Sequence, residues 1–260
     1  MADTMALSKD ELVKRAQAEM QQQFKSSELS VREKLALTCR ILFDGGHDSG
    51  LAGQITARAT QPNTYYTQRL GLGFEEISAS NILVVDEDLK VIEGAGMANP
   101  ANRFHSWVYR ARPDVKCIVH THPLYTSTLS MLETPLVVSH MDNCPLYGEV
   151  AFLKDWPGVP VGNEEGDLIS SALGSKKAIL LSHHGMLVAG ESVEEACLLA
   201  LQFERTARMQ LIAMGAGEIR PIIDRLGREA HDWILKPKRS EVWFDYYVRR
   251  ALKKHPDVLS

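Results

Sequence analysis

Val119-His120-Thr121-His122-Pro123 closes an apolar run, and in an extended strand residues two apart face the same side. The two imidazoles would then sit about 7 Å apart at their Cα atoms, a separation suited to two nitrogen ligands of one divalent cation. One surface histidine and one hydrogen-bonded core histidine give the same spacing, so this pair alone leaves both readings open. A second apolar run, Ala178-Ile179-Leu180-Leu181-Ser182-His183-His184-Gly185, also ends in histidines. If both strands share a sheet, their C-terminal ends can bring three imidazoles together. Three neutral nitrogen ligands with an open position describe a catalytic Zn²⁺, Mn²⁺ or Fe²⁺ site. Other motifs are missing. Gly94-Ala95-Gly96 meets Asn99 where a dinucleotide fingerprint needs its third glycine, and Gly71-Leu72-Gly73 runs into Phe-Glu-Glu. No phosphate loop and no G-x-S-x-G elbow occurs, so neither a nucleotide cofactor nor serine hydrolysis is expected.

Positioning these histidines requires strands between helices. Ser followed three residues later by Glu marks helix starts at Ser8…Glu11, Ser30…Glu33 and Ser192…Glu195. The first helix runs to about Phe24 and is polar. The second carries Leu35, Leu37, Ile41, Leu42 and Phe43 near helical spacing and stops at Gly45-Gly46; the third runs to about Met214. Strands are expected over 54–58, 82–85, 91–92, 115–122, 136–138 and 178–182. Helices are expected over 103–111 and from Pro123 through Met131. Short spacings around residues 50–95 favour hairpins, hence a mixed sheet over a uniform βαβ series. The economical organisation is one domain over 1–260, its core about 30–215, with helical N- and C-terminal extensions.

Composition narrows the class further. The 260 residues are 45% hydrophobic and 24% charged, which excludes a disordered chain and a small disulfide scaffold. A net charge of −4 argues against a nucleic-acid partner but leaves room for a small anionic substrate. Cys39, Cys117, Cys144 and Cys197 are widely separated, as expected of buried thiols in a reducing compartment. Without an apolar leader or an apolar run of about 18 residues, a cytoplasmic protein with no membrane partner is expected.

Several segments together resemble the class II aldolase/adducin family. They are Gly53-Gln54-Ile55-Thr56-Ala57-Arg58, Phe74-Glu75-Glu76-Ile77-Ser78-Ala79-Ser80 with Val84-Val85-Asp86, Arg110-Ala111-Arg112-Pro113-Asp114-Val115, Val119–Pro123 and Leu180–Gly185. They occur in the family's order from about residue 30 to residue 210. The resemblance implies a three-layer α/β/α fold around a mixed, largely antiparallel sheet, and a homotetramer. It implies one divalent metal per subunit, zinc first and manganese or iron next, on His120, His122 and His184.

Departures from the family pattern shape the substrate. Aligned on His105, Ala101 stands where the family's aldolases carry an acid/base Glu, and their phosphate-binding serines are missing. Phosphorylated sugars are therefore not expected. Arg69, in the Gln68-Arg69-Leu70 substrate loop, could hold a carboxylate bidentately. Gln54, replacing the family's Asn, and Asn102 are further substrate-binding candidates. His140, near the family's tyrosine proton donor, and His105, on the helix before the metal strand, are the catalytic candidates. The implied activity is aldol cleavage or formation on a carboxylate-bearing, non-phosphorylated substrate through a metal-stabilised enolate. Decarboxylation of a hydroxylated aromatic acid and Fe(II)-dependent oxygenation are alternatives within the family. A non-catalytic, adducin-like interaction domain is the alternative from another class, and the retained histidines weigh against it.

Overall fold

The computed structural model describes residues 4–260. Two helices open the chain, α1 (Lys9–Gln23) and α2 (Val31–Asp44), and each starts with the reciprocal Ser/Glu cap that its sequence announces. A meander follows: β1 (Gln54–Arg58), β2 (Thr64–Thr67), β3 (Leu83–Asp86) and β4 (Val91–Glu93). Next come α3 (Arg103–Ala111), β5 (Cys117–Thr121), α4 (Leu124–Met131), β6 (Val150–Leu153), α5 (Asn163–Leu173), β7 (Ala178–Leu181) and β8 (Gly185–Gly190). Helices α6 (Val193–Ala216), α7 (Asp224–Ile234) and α8 (Pro237–Lys254) complete the described residues.

Among the described residues the strands form one sheet in the order β4-β3-β2-β1-β5-β8-β7-β6. Every neighbouring pair is antiparallel except β6–β7, whose parallel pairing uses α5 as the crossover. Strand β8 lies between β5 and β7 and runs against both, so β5 and β7 are parallel and their C-terminal ends share one edge of the fold.

Alternation along the central strands sorts side chains into two layers. Ile55, Val119, Leu180, Met186 and Val188 face α2, α4, α6 and α8 through Leu42, Leu129, Phe203 and Phe244. Ile118, Ile179, Leu187 and Ala189 face α3 and α5 through Phe104, Val108, Ile169 and Leu173. This is the expected α/β/α arrangement. Phe244, on α8, belongs to the chain's own core.

Two features differ from the sequence reading. Strands β2, β6 and β8 and helix α5 lie outside the expected elements. Residues 136–138 form no strand: Val137 N donates to Gln210 Oε1 at 2.8 Å and Gln210 Nε2 donates to the Pro135 carbonyl at 3.0 Å. One glutamine side chain on α6 thus takes the bonds that a neighbouring strand would supply. No helix among the described residues is long and apolar enough to cross a membrane.

Candidate metal centre

His120 is the fourth residue of β5, a strand buried along its whole length between β1 and β8. The ladders set His120 opposite Gln54 on one side and Leu187 on the other. Its Nδ1 lies 2.8 Å from the Met186 carbonyl, which can only accept, so Nδ1 carries the proton and Nε2 keeps its lone pair.

His122 stands one residue beyond the strand, where its N–H leaves the ladder and donates to Ser49 Oγ at 3.0 Å. Pro123 then opens α4. The first turn of α4 is clamped by the buried carboxylate of Glu204 on α6, which accepts from Tyr125 N, Thr126 N and Thr126 Oγ1 at 2.7–2.9 Å.

His184 sits in the turn from β7 to β8, and its N–H donates to the Leu181 carbonyl at 3.2 Å. The preceding His183 adopts a left-handed φ of 56°, which turns the chain back so that His184 faces His120 and His122. Gly185 must be glycine: a Cβ there would lie 2.6 Å from both His122 Cδ2 and the Thr121 carbonyl.

The three rings converge with centroids 4.6–4.8 Å apart, and their ligand atoms all lie within 4.8 Å of one another. Nε2 of His120 and Nε2 of His122 are 2.9 Å apart. Two imidazole ligands at about 2.0–2.1 Å on a tetrahedral zinc stand about 3.3 Å apart, so a small opening of the two rings would seat the ion. Burial, then the neighbouring imidazoles of His184, His122 and His105, hold His120 well below the ordinary histidine range. Burial lowers His122, and burial followed by His122 brings His184 down to about 4. All three are therefore neutral at pH 7, as ligation requires. Donor type, spacing and protonation state all fit a divalent cation.

The other sequence candidates divide. His105 is buried and pushed down to about 3 by that burial. Its Nδ1 lies 2.9 Å from Thr56 Oγ1, and its Nε2 has no partner among the described residues. Phe104 packs edge-on against both His105 and His120, at 4.6 and 5.0 Å between centroids. Gln54 is buried beside His120, its Nε2 donating to the Ala52 carbonyl at 2.7 Å. Asn102 is buried and donates to Thr67 Oγ1 at 2.9 Å. Arg69 is exposed, its side chain lying over Gly96. His140 is not brought to the three imidazoles. It is half-exposed, its Nδ1 accepts from Asp142 N at 3.2 Å to cap the 3₁₀ turn Met141–Leu146, and it lines a cleft with Lys9, Val13 and Trp233. Ala101 lies in the short turn before α3 and offers no carboxylate.

Sequence reasoning missed Glu204, Ser49 and Gln68. Gln68 replaces backbone at the end of β2: its side chain accepts from Ile55 N at 2.9 Å and donates to the Gly53 carbonyl at 2.7 Å. Glu204 lies in no motif, Gln68 stands out in the sequence only as part of the loop that carries Arg69, and only the three-dimensional pairing reveals what either side chain does.

A mixed α/β/α sheet with this histidine cluster at the shared end of two parallel strands defines a class. The chain belongs to the family described as Class II Aldolase and Adducin N-terminal domain, which matches residues 33–211. One curated relative is the 4-hydroxy-3-prenylphenylpyruvate oxygenase/4-hydroxy-3-prenylbenzoate synthase of Streptomyces roseochromogenus subsp. oscitans. It is 31% identical over 205 residues, covering 77% of this chain and 73% of the relative. Decarboxylase NovR of Streptomyces niveus is 31% identical over 241 residues, covering 88% and 86%. Among solved structures, L-fuculose 1-phosphate aldolase from Glaciozyma antarctica PI12 is similar with a TM-score of 0.81 at 27% identity, covering 88% of this chain and 92% of that one.

Proposed function

We propose that the chain is a metal-dependent carbon–carbon lyase, an aldolase for a carboxylate-bearing, non-phosphorylated substrate. His120, His122 and His184 would hold one divalent cation, zinc first and manganese or iron(II) next. The observation that carries this reading is the convergence of three neutral imidazoles, His120 buried and His122 and His184 partly so. The cation, when bound, supplies Lewis acidity toward the negative charge that develops on substrate oxygen as a carbon–carbon bond breaks.

The chain's own groups supply the rest. The Met186 carbonyl holds the His120 ring in one tautomer, and the Glu204 clamp on α4 steadies the segment that carries His122. His105, anchored at Nδ1 on Thr56 with Nε2 buried and unpartnered, stays neutral at pH 7 and is the proton-transfer candidate only if substrate binding brings a partner to that nitrogen. His140 is assigned no step within its own protomer. Arg69 binds the substrate carboxylate, because its planar fork suits that group. Sugar 1-phosphates should be poor substrates, since Ala101 and the lost serines remove both acid/base and phosphate donors.

We read the chain as one domain that assembles as a homotetramer, in keeping with the exposed Leu124, Met131 and Leu132 along α4 beside the centre. Decarboxylation of a hydroxylated acid is the second reading, favoured by the likeness to Decarboxylase NovR over 88% of the chain. Deuterium exchange at C3 of pyruvate, followed by NMR, tests the enolate chemistry. Cation-dependent exchange that disappears in His122→Ala supports the aldolase. A loaded protein that exchanges nothing but releases CO₂ from hydroxyaromatic acids favours the decarboxylase.

A further inference from the structure

Two amide side chains, one beside the centre and one in the turn before α3, each leave an oxygen without a partner among the described residues: Gln54 Oε1 and Asn102 Oδ1. The residues are 3% and 1% exposed. Hydrogen bonding fixes which end of each amide is free. Gln54 must turn its NH₂ to the Ala52 carbonyl, which can only accept. Asn102 must turn its NH₂ to Thr67 Oγ1, because that hydroxyl donates its own proton to the Ile55 carbonyl or to Gln68 Oε1. What remains on both is an acceptor.

The two residues are linked through the sheet. Gln54 stands opposite His120 on the β1–β5 ladder, so the two side chains share a face about 5 Å apart at Cβ. Asn102 is tied through Thr67 to Ile55, the residue after Gln54, and lies one helical turn before His105. A buried acceptor without a donor is unfavourable, and no described residue offers a donor to either oxygen.

We propose that Gln54 and Asn102 form an acceptor pair that recognises a hydrogen-bond donor on the substrate, a hydroxyl close to the oxygens that chelate the cation. The site then selects hydroxylated acids over their deoxy counterparts and disfavours phosphate esters, whose ionised oxygens offer no donor. This rests on the metal-dependent reading above, which supplies the chelating end of the substrate.

The test is isothermal titration of zinc-loaded protein, its zinc content measured first, with pyruvate and with 3-hydroxypyruvate. The wild type should bind hydroxypyruvate at least about 10-fold more tightly, and Gln54→Met should bring the ratio close to one. A preference due only to chelation through the hydroxyl would survive in Gln54→Met and would overturn the pair. Asn102→Leu repeats the test and stands in if Gln54→Met does not fold, as judged by thermal melting. Loaded protein without the preference overturns the acceptor pair alone. Protein that takes up no zinc overturns the metal reading as well.

Discussion

Two regions of this fold hold histidines in contrasting settings. At the shared end of β5 and β7, His120, His122 and His184 sit on backbone fixed by ladders, a tight turn and a clamped helix start. In the cleft of about 830 Å³ between α1 and α7, His140 is half-exposed and serves as a helix cap. The residue type is the same, but the chemistry available differs. Burial and mutual proximity make the first group neutral and convergent, whereas solvent and a local cap occupy the second. Position in the sheet, more than the presence of an imidazole, decides which histidines can act as ligands.

The largest expected effect comes from breaking the close approach at the first region. Gly185→Ala puts a methyl against His122 and the Thr121 carbonyl, and should cost about 1–3 kcal/mol of stability while weakening cation affinity by about tenfold or more. Calorimetric melting and competitive chelator titration check both.

Acid should reveal the second largest effect, in cation-free protein. His184 titrates near 4 in the fold, with His120 and His122 also held down, against about 6.5 when unfolded. Groups with depressed folded values make their full contribution above the unfolded value. Stability should therefore fall as pH drops from about 6.5 toward 4, as the unfolded chain takes up protons that the fold refuses. Melting temperatures across that range measure this, and His184→Asn should flatten the slope.

Glu204→Gln sharpens the role of the helix clamp. Losing the charge and part of the three-bond acceptor should lower stability by about 1–2 kcal/mol and cation affinity severalfold, read by the same two measurements. The exposed side chains should affect catalysis alone, with no change in stability or cation content. Arg69→Ala should lower kcat/KM for carboxylate substrates by about tenfold with cation content unchanged. His140→Ala should leave cation content unchanged and alter kcat/KM less than Arg69→Ala does.

Much of the first region is legible in the chain itself. Apolar runs ending in histidines mark β5 and β7, and the Ser/Glu caps mark α1 and α2. Strand β8 is not, because its Gly185 and Gly190 read as turn residues although their lack of a side chain serves close packing. Residues 136–138 have strand composition, but Gln210 satisfies their backbone from 73 residues away. Glu204 caps α4 across 78 residues. Such partnerships follow no local period, so only the assembled fold exposes them. In the second region, His140 lies in sequence near the family's tyrosine position, and within its own protomer the chain carries it to another cleft.

Elemental analysis of the purified protein beside His122→Ala, prepared identically and checked for fold by circular dichroism, shows whether the three imidazoles hold a cation. Close to one divalent cation per wild-type chain is expected, with a large loss in the folded variant. A wild type that takes up no divalent cation, or a variant that keeps its full complement, would contradict it.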